Sequence, residues 1–116
     1  EMRRAGVELL AGTDTAFGYP VAGFALHDEL GLFVQAGLTP MEALKTATYN
    51  PAKYFGLLNS LGTVEPGKIA DLVLLNANPL DDIGNTKKIE LVIQNGRYIS
   101  RKQLEQLLVD GEAGAK

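Results

Sequence analysis

Apolar residues dominate the first predicted element, residues 7–11, which runs into Gly12, Thr13 and Asp14. An apolar run with little alternation of polar positions is typical of a strand that is covered on both faces, as in a parallel sheet or barrel. Such sheets bind ligands beyond the carboxyl ends of their strands, where Asp14 would be a metal ligand or a general base. Asp14 could equally cap the following loop through local hydrogen bonds. These residues alone leave both roles open.

Helical spacing replaces the apolar run after the first loop. Residues 24–36 carry apolar side chains at helical intervals, and Gly37 is placed to end that helix. A second helix begins at a capping box in which Thr39 is the N-cap and Glu42 can bond back to its amide. We expect this helix to end at Asn50-Pro51, because the residue before a proline is disfavoured in helical conformation. The same two residues can start a short third helix.

Near Gly62 the periodicity changes again, from helix to strand. Pro66 and Gly67 suit the two central positions of a type II turn, which leads into a predicted strand over residues 69–75. The second half of the chain is therefore expected to be a small sheet.

A hairpin is the clearest prediction in that second half. Two apolar runs, residues 89–94 and 97–99, flank Asn95-Gly96, whose positive backbone angles suit a two-residue turn. Leucines at helical spacing then predict a helix over residues 101–109. Taken together, the pattern predicts one buried strand, two or three helices and a small antiparallel sheet.

Composition excludes several classes of protein. The 116 residues are 46% hydrophobic and 22% charged, which is enough for the core of one domain. The net charge of -3 is scattered, without the basic face of a nucleic-acid binder. No apolar stretch approaches the roughly 20 residues of a membrane span, and residues 1–4 lack the apolar core of a signal peptide. We expect a soluble, cytoplasmic or periplasmic protein that binds neither nucleic acid nor membranes.

Metal-ligating side chains are scarce in this chain. Cysteine is absent and histidine occurs once, as His27. The sequence therefore excludes disulfides, thiol chemistry and a self-contained His-rich metal site. A metal centre would need ligands from elsewhere.

Several motifs occur in a fixed order along the chain. They are Gly12-Thr13-Asp14, His27-Asp28-Glu29-Leu30 and the segments 36–44, 47–48, 50–52, 62–73 and 78–80. This series resembles the C-terminal end of an amidohydrolase-superfamily enzyme, and it is most similar to the imidazolonepropionase-like and Xaa-Pro dipeptidase-like branch. The resemblance covers residues 5–100, and the ordered series is far more specific than any single motif.

The resemblance implies an α/β fold. Enzymes of this family are metal-dependent hydrolases built on a (β/α)8 barrel, with a small β-sandwich assembled from both chain ends. Residues 1–58 would be the end of the barrel, with its eighth strand at residues 7–14 and closing helices after it. Residues 59–100 would be the C-terminal part of the composite sandwich of antiparallel strands, followed by a helix and tail over residues 101–116.

Asp14 acquires a role from the same resemblance. In similar enzymes the aspartate that ends the last strand binds the metal, takes a proton from the attacking water and passes it to the leaving nitrogen. Asp14 is thus expected to be both the catalytic residue and a metal ligand, with one or two zinc ions as the expected cofactor. Thr13 and Thr15 could orient it, or could be ordinary strand-end hydroxyls.

The chain also departs from the family pattern. The family needs a His-x-His pair on an early strand, a lysine or glutamate in mid-barrel and two further histidines, none of which occurs here. The chain would be about a quarter to a third of such a barrel enzyme, binding no metal and inactive by itself. His27 could face the substrate mouth, and a packing or capping role explains it equally well. Lys68 and Asp71 are explained by turn closure and strand-end bonding.

Two functions therefore remain open. The first is the C-terminal segment of a hydrolase that cleaves carbon-nitrogen bonds in a small-molecule cyclic amide or dipeptide. The second is a stand-alone α+β binding or self-assembly module without catalysis. Because an apolar strand without neighbours exposes side chains and backbone groups, we expect a homo-oligomer, or pairing of the first strand with the chain's own sheet. An upstream His-x-His in the reading frame would favour the hydrolase.

Overall fold

A computed structural model describes residues 5–15 and 23–114 of the chain. The elements within these ranges are α1 (Ala25–Gln35), α2 (Pro40–Ala47), α3 (Tyr49–Tyr54), β1 (Leu72–Leu75), a 3-10 helix (Ile83–Lys87), β2 (Ile89–Gln94), β3 (Arg97–Ser100) and α4 (Arg101–Gly114). Helices α1, α2 and α3 precede all three strands, which confirms the predicted change of periodicity near Gly62. None of these helices is long and apolar enough to cross a membrane.

The ends of the first two helices are closed by the predicted signals. Gly37 adopts a φ of 101°, and the Leu38 amide donates to the Phe33 carbonyl at 3.0 Å, so α1 ends in a Schellman motif. At the start of α2, the Glu42 amide donates to Thr39 Oγ1 at 3.2 Å, and the Thr39 amide donates to Glu42 Oε2 at 2.7 Å. The capping box is confirmed.

The end of the second helix differs from the prediction. Helix α2 ends at Ala47, because Thr48 has φ and ψ of -129° and -80° and interrupts the helix. Pro51 lies in the first turn of α3 and does not end the preceding helix. The first turn of a helix needs no backbone donor from proline, so Pro51 is compatible with this position.

The buried core lies between the helices. Leu30 of α1, Ala43 of α2 and Ile83 of the 3-10 helix are 4%, 0% and 9% exposed, and they form one cluster. Half-buried side chains pack around it, namely Phe33, Val34, Leu44 and Ala47. Ala43 has no side chain beyond Cβ, which allows α1 and α2 to approach closely. This cluster fixes α1 relative to α2.

The sheet has the strand order β1-β2-β3 and is antiparallel throughout. The turn between β2 and β3 is formed by Asn95 and Gly96, whose φ values of 48° and 76° are those of a type I′ hairpin. Val73 and Leu74 of β1 are 55% and 53% exposed. The predicted hairpin is confirmed, and the sheet leaves much of its apolar surface open.

The predicted strand over residues 7–14 is not formed. These residues are neither helix nor strand, and Val7 and Leu10 are 51% and 39% exposed, so burial on both faces is also wrong for this structure. A strand is stabilised by ladder bonds to a neighbouring strand, and the three strands described pair only with one another. Pairing of residues 7–14 with the chain's own sheet, the expected alternative to a homo-oligomer, does not occur either.

Candidate functional site

Residues 7–14, here called the N-terminal segment, are held against the helices by hydrogen bonds. The side-chain amide of Asn50 on α3 donates to the Leu9 carbonyl at 2.9 Å. The Ala11 amide donates to the carbonyl of Thr46 on α2, also at 2.9 Å. Thr46 is 1% exposed, so this second anchor lies on a buried part of α2. The segment therefore has a defined path although it is not a strand.

Glu29 of α1 holds the segment from a different helix. The Gly12 amide donates to both carboxylate oxygens of Glu29, at 3.0 Å to Oε1 and 3.1 Å to Oε2. Adjacent amides of the segment, those of Ala11 and Gly12, are thus bonded to α2 and α1 respectively. Three helices together determine where the segment ends.

Asp14 lies at that end and is exposed to solvent. Its φ of 46° is in the left-handed region, which only a few per cent of non-glycine residues adopt and which aspartate tolerates better than most. The Asp14 carboxylate is therefore accessible, two residues beyond an anchored amide. This position agrees with either of its predicted roles, ligand or cap.

A complete metal site is not found in the described residues. In ranges 5–15 and 23–114, no three His, Cys, Asp or Glu side chains lie close enough together to hold a metal ion. The donor set fits one ligand position, the carboxylate of Asp14, whereas catalytic zinc sites use about three protein ligands. Any further ligands would have to come from other residues, so the assignment of Asp14 as metal ligand and catalytic group stays a prediction.

His27 has a packing role in this structure. Its Nδ1 lies 3.1 Å from Oγ1 of Thr86, and that hydroxyl donates to the Ile83 carbonyl at 2.8 Å. Because a threonine hydroxyl has one proton to give, we infer that His27 Nδ1 is the donor to Thr86. Partial burial lowers the pKa of His27, the charge of Lys87 lowers it further, and Asp28 opposes both effects. The imidazole fastens α1 to the 3-10 helix.

Lys68 and Asp71 have structural partners, as expected from the sequence. Asp71 Oδ1 accepts the amide of Asn95 at 2.6 Å, so this carboxylate stabilises the hairpin turn. Lys68 bonds to Thr63 Oγ1 and pairs with Glu65 at 3.0 Å, which lowers the pKa of Glu65. Neither residue needs a catalytic role to explain its position.

Glu29 is the residue of the site whose role the sequence does not predict. Its motif, His27-Asp28-Glu29-Leu30, marks the helix, but the partner of Glu29 lies 17 positions away. No local pattern connects a helical glutamate to the amide of a distant glycine. Only the packing of α1 beside the N-terminal segment brings the two together.

Comparison with known proteins identifies the family of the chain. The sequence model of the amidohydrolase family matches residues 1–99. The chain belongs to the amidohydrolase family, as the ordered motifs predicted.

Three similar proteins illustrate the range of the family. An adenine deaminase from Desulforamulus reducens is 40% identical over 68 residues, which are 59% of this chain and 10% of that protein. An imidazolonepropionase from Pyrobaculum arsenaticum is 43% identical over 74 residues, which are 64% of this chain and 18% of that protein. The structure of a Xaa-Pro dipeptidase with bound methionine matches with a TM-score of 0.75 and 32% identity, over 84% of this chain and 23% of that one. The chain thus spans less than a quarter of the length of each.

Proposed function

We propose that this chain is the C-terminal part of a metal-dependent amidohydrolase that cleaves a carbon-nitrogen bond in a small molecule, such as a cyclic amide or a dipeptide. Membership of the family supports hydrolytic chemistry. Similarity to an imidazolonepropionase and to a Xaa-Pro dipeptidase supports the substrate class. The observation that carries the proposal is the exposed carboxylate of Asp14 at the end of an anchored segment.

In the complete protein, we propose that residues 1–58 close the barrel and that the N-terminal segment pairs as its last strand. The half-exposed side chains of Val7 and Leu10 support this role, because neighbouring strands and helices would cover them. Residues 59–100 would contribute to a β-sandwich, and residues 101–116 would form the terminal helix and tail. Val73 and Leu74 are successive residues of β1 and point to opposite faces of the sheet, so one of the two exposed side chains would then lie on the inner face of that sandwich.

Asp14 would carry the proton in the reaction. A divalent metal, expected to be zinc, would polarise the attacking water when bound. Asp14 would contribute one ligand oxygen, accept a proton from that water at its carboxylate, and deliver the proton to the leaving nitrogen. An aspartate can do this because the same carboxylate both ligates a cation and accepts a proton. The open position of Asp14 leaves room for further ligands and for substrate.

The test compares Asp14→Asn with Asp71→Asn in the full-length enzyme. Asp14→Asn keeps the size of the side chain and removes its basicity, so kcat should fall about a hundredfold to ten-thousandfold with little change in Tm. Asp71→Asn weakens the acceptor of the Asn95 amide, which should lower stability by roughly 1 kcal/mol while kcat per folded molecule stays near normal. Near-normal turnover in a folded, metal-loaded Asp14→Asn enzyme would return Asp14 to a capping role.

The expected homo-oligomer also stays a prediction. It is supported by apolar side chains that the described residues leave exposed on two elements, Val73 and Leu74 of β1 and Leu107 and Leu108 of α4. Neighbouring exposed apolar residues of this kind commonly mark an interaction surface. The full-length chain could cover the same surfaces itself, in which case assembly would not be needed.

A further inference from the structure

We infer that Glu29 is the positioning residue for Asp14, holding the Gly12 amide from α1 so that the Asp14 carboxylate is presented in one place. This inference rests on the proposed function, in which Asp14 is the catalytic carboxylate. Glu29 itself would touch neither substrate nor metal. Its effect on the reaction would pass through Thr13, the single residue between Gly12 and Asp14.

The contact between Glu29 and Gly12 is well made for this purpose. Both carboxylate oxygens accept the same amide, at 3.0 and 3.1 Å. Hydrogen bonds to an ionised acceptor are roughly twice as strong as those between neutral groups. A shared amide also stays bonded if the carboxylate rocks, since one oxygen approaches as the other recedes. The geometry is that of a tether for the chain just before Asp14.

Glu29 is a rigid point of attachment. It follows Ala25 by one helical turn and precedes Leu30, and these two residues of α1 are 7% and 4% exposed. Leu30 packs in the cluster with Ala43 of α2, the helix whose Thr46 carbonyl holds the Ala11 amide. The two anchors of adjacent amides therefore belong to helices that are packed against each other. Sites held by packed helices are more precise than sites held by loops alone.

The backbone of Asp14 needs such an anchor. A non-glycine residue at a φ of 46° is in a sparsely populated conformation, and it persists only when its surroundings enforce it. Bonds to the amides of Ala11 and Gly12 fix the direction in which the chain enters this turn. Loss of the Glu29 bond would free the Gly12 amide and let the carboxylate of Asp14 move.

Asp28 provides a matched control on the same helix. Its carboxylate pairs with Lys87 at 2.6 Å, and the two side chains are 64% and 54% exposed. This bond lowers the pKa of Asp28, so the residue is a charged neighbour of Glu29 with a different partner. Exposed ion pairs contribute little to stability. Asp28→Asn therefore removes a charge beside Glu29 without touching the N-terminal segment.

The first test measures the tether directly in this chain by ¹H–¹⁵N NMR. An amide that donates to a carboxylate resonates downfield and exchanges slowly with solvent. In Glu29→Ala the Gly12 amide proton should move upfield and exchange at least about tenfold faster, as expected when a bond that opens only with local unfolding is removed. Glu29→Gln, which keeps an oxygen acceptor, should recover part of the shift, and Asp28→Asn should leave Gly12 unchanged. An unaltered Gly12 amide in Glu29→Ala would overturn the inference.

The second test measures the effect on catalysis in the full-length enzyme. Glu29→Ala should lower kcat by about tenfold to a hundredfold, the size expected when a catalytic group is misplaced by roughly 1 Å. Glu29→Gln should restore most of the loss, and Asp28→Asn should stay within about twofold of wild type. If Glu29 acts through Asp14, then adding Glu29→Ala to Asp14→Asn should cause no further loss of kcat.

Two outcomes of this kinetic test separate the inference from the function on which it rests. Normal kcat in Glu29→Ala, or a double variant whose losses simply multiply, would overturn the positioning role. Normal kcat in Asp14→Asn would instead overturn the proposed function, while the Gly12 resonance still reports independently whether Glu29 anchors the segment. If Glu29 had only a structural role, Glu29→Ala would lower Tm but would not change kcat of the folded enzyme. There would then be no loss of kcat for Glu29→Gln to restore.

Discussion

The N-terminal segment and the β2–β3 hairpin both contain apolar runs, but only the hairpin forms β-strands. In the hairpin, each strand finds its ladder partner across a turn of two residues, Asn95 and Gly96. In the N-terminal segment, the groups that bond to the backbone are side chains and a carbonyl 17 to 41 positions away, among them Glu29 and Asn50. An apolar run thus indicates that a segment must be covered. Whether it becomes a strand depends on whether a partner strand is close at hand.

A second contrast concerns where the stability lies. The cluster of Leu30, Ala43 and Ile83 is almost inaccessible to solvent. The sheet exposes more than half of Val73 and Leu74. Since stabilisation by apolar side chains follows the area removed from water, the helices should contribute most of the stability of the chain.

The largest effect is expected from truncating the helical core. Leu30→Ala should lower the free energy of unfolding by about 2–5 kcal/mol, because it leaves a cavity between α1 and α2. Val73→Ala, at a site 55% exposed, should cost less than about 1 kcal/mol. Urea unfolding of both variants measures the difference. Equal losses would show that the sheet is covered in solution, for example by a second copy of the chain.

The second largest effect is expected at Gly62, which joins the helical half to the sheet. Gly62→Ala should lower the free energy of unfolding by about 2–3 kcal/mol. A Cβ built there would lie 2.6 Å from the Cβ of Ala52, and the residue has a φ of 89°. Gly62→Ala therefore combines overpacking with an unfavourable backbone. Gly96→Ala is the control, because its φ of 76° carries the backbone penalty of about 1 kcal/mol without any contact within 4 Å. Similar melting temperatures for the two variants would contradict the proposed close contact.

The smallest effect is a pH dependence that originates at His27. Its pKa is lowered in the folded chain by burial and by Lys87, so the unfolded chain binds more protons below the ordinary value of about 6.5. The free energy of unfolding should be highest above that pH and should fall as the pH drops through the window just below it. In His27→Gln this fall should disappear. The loss of stability at lower pH should remain, because Asp28 and Glu65, whose pKa values are lowered in the folded chain, become protonated there. Unfolding curves at pH 7.5 and 5.5 compare the two, and a wild-type chain that is equally stable at both would contradict the assignment.

Much of the fold follows from local signals. The bounds predicted for α1 differ from those observed by one residue at each end, and the capping box at Thr39 and the hairpin turn at Asn95 form as expected. The helix signals succeed because their hydrogen bonds join residues no more than five positions apart, and the hairpin succeeds because its turn needs only two adjacent residues that tolerate a positive φ. The break at Thr48 has no such local signal, because the only helix-ending residue nearby is Pro51, three positions later.

The candidate site is predictable only in part. Asp14 is selected by its position after an apolar run and by its motif, whereas the partner of Gly12 could not be chosen among the acidic side chains of the sequence. His27 shows the same limit, because its burial against Thr86 is a contact between residues 59 positions apart. The type of a residue indicates which reactions its side chain can take part in. Its hydrogen-bond partners and its burial depend on residues that are distant in the sequence.

The sequence by itself determined the helices, the turns, the hairpin and the family of this protein, because each is encoded in neighbouring residues or in an ordered series of motifs. Only the tertiary structure decided that residues 7–14 form no strand, that Glu29 bonds to Gly12 and that His27 bonds to Thr86. The physical reason is that a backbone N–H or an imidazole N–H can donate to any suitable acceptor within reach. Which partner is within reach depends on how the buried faces of α1, α2 and the 3-10 helix pack together.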